Sequence, residues 1–125
     1  MTVLRKLDPW GPPLALMAVI FFFSAQPSLN SGLGWIDHVG RKIIHASEYA
    51  LLCFLWWRAL RTRMDRLRAL WPAFVIAAAY AVTDEYHQSF VTGRHSTWVD
   101  VMIDSIGAAL AALLIHRSLK ARVPR

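Results

Sequence analysis

A chain of 125 residues has room for a single domain, residues 1–125, and its one cysteine excludes an internal disulfide and any cysteine-based zinc site. Apolar residues make up 56% and six residues are tryptophan, which is rich for a water-soluble domain and ordinary for an integral membrane protein. The net charge of +6 would suit nucleic acid, but the basic residues are confined to short stretches, a distribution that fits membrane orientation and argues against a nucleic-acid partner.

The chain opens on a short basic stretch, and Pro12 and Pro13 are tolerated in a first helical turn before the wholly apolar run Leu14 to Phe23. A signal peptide has a similar outline, but bulky Phe23 sits badly for a small-residue cleavage site, so the pattern predicts an uncleaved first span over about 10–26. Gln26-Pro27-Ser28 ends it, and the Asn30 to Gly34 run, followed by Asp37 and His38, is loop by composition. The second span is expected over about 41–60. Its first half carries Lys42, His45, Glu48 and Tyr49, and its second half is apolar around Cys53. Five arginines between Arg58 and Arg68 follow, with only Asp65 against them.

The third segment, about 69–90, reverses that order: it is apolar through Val82 and ends in Asp84, Glu85, His87 and Gln88. At helical spacing Tyr80, Asp84 and Gln88 share one face, with Glu85 on its flank, rotated by about 100° from Asp84. Gly93 permits a turn that delivers Arg94 to these carboxylates or to a ligand phosphate. The fourth segment, about 98–116, has Asp100 and Asp104 early and then a run of small residues, in which Gly107 with Ala111 and Ala108 with Ala112 are spaced for close helix contact, either within the chain or with a second copy. Trp56, Trp57, Trp71 and Trp98 lie near the span ends and read as interfacial anchors.

A soluble four-helix bundle would keep a polar face along each helix. Here the apolar halves are apolar all round and polarity collects at one end of each segment. The expected fold is therefore all-α, an integral membrane bundle of four transmembrane helices. Eleven of the fourteen Lys and Arg lie in the N-terminal stretch, the 58–68 loop and the C-terminal tail, which predicts cytoplasmic N- and C-termini and a multi-pass protein of the bacterial inner membrane. Six of the eight acids and four of the five histidines then share the outer side. Antiparallel connectivity gathers them into one outward polar pocket over an apolar floor.

The motifs Ser24-x-Gln26, Lys42-x-x-His45-x-x-Glu48-Tyr49, Asp84-Glu85-x-x-Gln88 and Gly93-Arg94 with Asp100, in that order and followed by the Gly107 helix, resemble the VanZ-like family of small bacterial membrane proteins. The resemblance covers about residues 20–112. It implies a cell-envelope setting, through the family's namesake in glycopeptide (teicoplanin) resistance. At Asp104 the family pattern leads one to expect Asn.

Two functional readings follow. In the first, the pocket acts on an amphipathic envelope ligand, a lipid-linked phosphate or sugar: Glu85, His45 and Asp84 are the candidate catalytic groups, and Arg94, Lys42, Gln88, Tyr49, Asp100, Gln26 and Ser24 are the candidate ligand contacts. In the second, no bond is broken: the pocket binds a lipid or envelope ligand, or the charged cluster only locks the bundle. Whether the protein is an enzyme stays open at this stage. Neither a cofactor nor a metal is expected, for although His45, Glu85 and Asp100 are suitable ligands there is no H-E-x-x-H spacing.

Overall fold

The computed structural model describes residues 8–24, 35–90 and 98–121. They form four helices, α1 (Gly11–Ser24), α2 (Trp35–Leu60), α3 (Leu70–Gln88) and α4 (Trp98–Ala121), with no strand among the described residues. The fold is all-α, as the patterning predicts. Ser24 as a side chain, Gln26, Arg94, His95, and the side chains of Asp37 and His38 lie outside what is described.

Two helices run further than the apolar segments suggest. Helix α2 begins at Trp35, so the backbone of Asp37 and His38, expected in a loop, lies in its first turn. No proline interrupts this stretch, an acid near a helix N-terminus is favourable, and the single Gly40 costs only about 1 kcal/mol. Helix α4 continues to Ala121, with Lys120 in its last turn. Basic groups there oppose the negative end of the helix dipole.

The helices alternate in direction. At one end Arg58 pairs with Asp8 at 2.9 Å and Trp10 meets Trp56 edge-on, bringing the start of α1 to the end of α2. At the other end Phe21 stacks on His87, 4.2 Å between ring centres, bringing the end of α1 to the end of α3. Lys42 and Asp100 join the starts of α2 and α4. Helices α2 and α4 thus run parallel, with α3 antiparallel to both. The basic corner between α2 and α3 is tied locally: the Trp57 indole donates to the Arg66 carbonyl at 2.8 Å, and the Arg61 guanidinium lies over the Trp57 ring. Trp57 is accordingly buried rather than an exposed anchor, whereas Trp71 and Trp98 are exposed.

Small residues let these helices approach. Ala73, Ala77 and Ala81 form a buried stripe on α3 at four-residue spacing, and it continues into Asp84, Glu85 and Gln88. Tyr49, Leu52 and Cys53 of α2, Ile20 of α1 and Ala108 of α4 complete the core. Helices α2 and α4 come very close, for a Cβ on Gly107 would lie 2.8 Å from the carbonyl carbon and 2.9 Å from the Cα of Ala46. The close packing expected at Gly107 is made inside the chain.

Gly107→Ala should therefore destabilise the protein by about 1–3 kcal/mol, the usual cost of overpacking. Gly40 lies in α2 with nothing near its missing Cβ. Gly40→Ala should be neutral or stabilising by up to about 1 kcal/mol through helix propensity. Thermal unfolding of the two variants in detergent checks the contrast.

Candidate functional site

The polar residues of α2, α3 and α4 meet at the end of the bundle where α2 and α4 begin and α3 finishes. Each helix brings its groups there by register. On α2, Lys42, His45 and Tyr49 follow one another at three- and four-residue intervals, so they descend one face from the helix start into the core. On α3 the alanine stripe hands over to Asp84, Glu85 and Gln88. On α4 Asp100, Asp104 and Gly107 share a face, and Gly107 marks it as the inward one.

Exposure falls along the cluster. At its rim the Lys42 ammonium donates to Asp100 Oδ1 at 2.7 Å, and both side chains are 28% exposed. Such a half-exposed pair contributes little to stability but fixes two opposite charges in place. Below it His45 Nδ1 lies 3.9 Å from Asp104 Oδ1, and His45 is 25% exposed against 2% for Asp104. Asp84 is buried to the same degree, 3% exposed. Its Oδ2 accepts hydrogen bonds from the Tyr49 hydroxyl at 3.1 Å and from the Gln88 amide at 3.3 Å.

One acceptor atom of Asp84, one of Asp104 and a ring nitrogen of His45 lie within 4.8 Å of one another. Asp84 Oδ1 and Asp104 Oδ1 are both buried and accept no hydrogen bond. Leaving a buried carboxylate oxygen without a donor costs free energy, so such atoms call for a reason beyond packing. Glu85 is buried beside Asp84, and Glu48 is half-buried on α2.

The structure thus brings together Lys42, His45, Tyr49, Asp84, Gln88 and Asp100 from the sequence-predicted site, with Glu85 buried next to them. Gln26 and Arg94 fall outside the described residues, as does the side chain of Ser24. Tyr80, expected on the Asp84 face, packs toward Tyr49, and its hydroxyl donates to the Met17 carbonyl at 2.6 Å, which ties α3 to α1. His87 stacks on Phe21 apart from the cluster.

Asp104 is the member that motif reasoning set aside as a departure from a family pattern. The signal that finds it is its place one turn before Gly107: a residue three positions ahead of an inward glycine also faces inward.

The arrangement offers a fixed cation and anion at the rim, and two buried carboxylates and an imidazole beneath. It can bind a polar headgroup, hold a cation or exchange a proton.

A family model described as VanZ/LLP1 matches residues 11–120, from the first turn of α1 to the last turn of α4. No curated protein and no solved structure matches the chain significantly.

Removing the Tyr49 hydroxyl deprives a buried carboxylate of a donor, so Tyr49→Phe should cost about 1–3 kcal/mol. Lys42→Ala, at the half-exposed rim, should cost no more than about 1 kcal/mol. Denaturant unfolding in detergent measures both. Equal losses would show that the Tyr49 bond does not hold the cluster.

Proposed function

Since the chain belongs to the VanZ/LLP1 family, we propose that it is a multi-pass protein of the bacterial inner membrane, and that its polar end faces outward and takes an amphipathic envelope ligand with an anionic or sugar headgroup. Three features support the membrane part of this reading. Helix α4 is long and apolar enough to cross a bilayer, and α1 is a shorter apolar helix. Large side chains point away from the bundle on every helix, among them Phe22 of α1, Ile43 of α2, Val82 of α3 and Leu114 of α4, all more than half exposed. The interior has a few large apolar side chains, such as Ile20 and Leu52, but much of it is alanine, glycine and polar groups. Such an arrangement is unfavourable in water and natural in lipid.

The observation that carries the ligand reading is the vertical order of the cluster: a rim ion pair, Lys42 with Asp100, above buried Asp84 and Asp104. Ionisable groups kept at membrane depth are costly and usually functional. In this reading Lys42, joined by Arg94, holds the anionic part of the headgroup. His45 and the carboxylates below it contact the polar remainder, and the exposed apolar faces of the helices accommodate the tails. A lipid-linked phosphate or sugar fits this division. Glu85, His45 and Asp84 are the groups for a proton transfer if a bond is broken.

One observation favours the second reading, in which the cluster only locks the bundle. Asp84 Oδ2 already accepts from Tyr49, which joins α2 to α3, and from Gln88 on its own helix. Side-by-side tests separate the two. Lys42→Ala, Asp84→Asn and Glu85→Gln, expressed at wild-type level, should abolish an envelope phenotype such as altered glycopeptide sensitivity. For Lys42→Ala the loss should come without a large fall in melting temperature. If all three variants keep the phenotype, the cluster is scaffold. The orientation is checked by cysteine labelling from outside in whole cells: a probe at position 31 should react and one at position 62 should not, with Cys53 silent because it is buried.

A further inference from the structure

We infer that His45, Asp84 and Asp104 form a binding site for one divalent transition-metal ion, of the zinc or manganese kind, at the buried base of the polar cluster. The site draws one ligand from each of three helices, and its three candidate donor atoms already lie within 4.8 Å of one another. Metal–ligand bonds of about 2.0–2.2 Å place donors roughly 3–4 Å apart around one ion. The 3.9 Å between His45 Nδ1 and Asp104 Oδ1 falls in that range. The widest separation needs closing by less than about 1 Å, a side-chain adjustment.

A gathering of acids and a histidine is common without a metal, and a second observation points to a cation here. Asp104 is 2% exposed and Asp84 3%, yet the Oδ1 atom of each accepts no hydrogen bond. Asp104 Oδ1 faces the imidazole of His45. The ammonium of Lys42 is engaged by Asp100 at the rim. Each of the two buried carboxylates therefore keeps one oxygen without a donor, while the other oxygen of Asp84 is fixed by Tyr49 and Gln88. That is the role of outer partners in a metal site, where hydrogen bonds to the remaining carboxylate oxygen orient the ligating one.

The donor set also selects the class of ion. One imidazole and two carboxylates are hard to borderline ligands, suited to zinc, manganese or iron(II) and poorly suited to copper(I). Two carboxylate charges balance a divalent ion. Three protein ligands leave further coordination positions for water or for an oxygen of a bound molecule.

The inference does not depend on the envelope ligand, and its test uses the purified full chain in detergent without one. After chelator treatment, the chain is exposed to zinc, manganese or cobalt(II) chloride, freed of unbound ion, and its metal content and melting temperature are measured. About one ion per chain should be retained, as for a three-ligand site. The melting temperature should rise by several degrees, because the ion binds the folded state. His45→Gln and Asp104→Asn should each lower retained metal by about tenfold or more, the loss seen on disturbing even outer partners of such sites. Cobalt(II) should give visible ligand-field absorption in the wild-type chain, which decides the matter even if a variant fails to fold. No retained ion and no absorption, or equal retention by both variants, would overturn the site. A correct metal result with the wrong labelling pattern at positions 31 and 62 would instead overturn the orientation and leave the site standing.

Discussion

The close approach of α2 and α4 at Ala46 and Gly107 is the constraint on which the rest depends. Only a residue without a Cβ lets the two backbones come this near. His45 directly precedes Ala46, and Asp104 lies three residues before Gly107, about 4.5 Å along the helix axis. Because α2 and α4 run parallel and His45 stands only about 1.5 Å before Ala46, the contact sets these two residues within about 3 Å of each other in height, on facing surfaces. Any side chain at position 107 would separate them. The glycine is therefore as much a part of the site as the groups that carry its chemistry.

The stripe of alanines on α3 has the corresponding role for the third wall. It brings α3 close enough for Tyr49 to reach Asp84 with a single hydrogen bond, and Gln88, one turn further, supplies a second donor from the same helix. Polar bonds of this kind hold helices together where the surroundings are as apolar as the side chains, because burial of large apolar groups then gives no driving force for association. Many of the large apolar side chains point outward, among them Phe22, Ile43 and Leu114, while Ile20, Leu52 and Trp57 stay inside. The opposite end of the molecule is organised differently, by the Arg58–Asp8 pair and by the indole of Trp57 on the basic corner.

Buried carboxylates are a poor way to stabilise a bundle: removing one partner is costly, and apolar replacements often do better. That three acids, Asp84, Glu85 and Asp104, are each less than a tenth exposed at one end argues that something other than stability keeps them there. Proteins commonly accept such strain at functional sites and offset it elsewhere.

The sequence by itself determined the four helical segments, the meeting of Lys42, His45, Asp84 and Asp100 at one end, and the family, because each of these follows from order along the chain: runs of apolar residues, the sign of charge between them, and motif spacing. It placed Tyr80, Asp84 and Gln88 on one face for the same reason, since residues three and four apart on a helix are neighbours whatever surrounds them. The starts of α2 and the end of α4 were less legible, because residues such as Asp37 and Lys120 are compatible with both helix and loop. Only the tertiary structure decided that Asp104 stands opposite His45 and near Asp84, and that Trp57 turns inward. Those facts depend on the rotation of each helix about its own axis and on the distance between axes, which a glycine against a neighbouring backbone sets and which no spacing within one helix encodes.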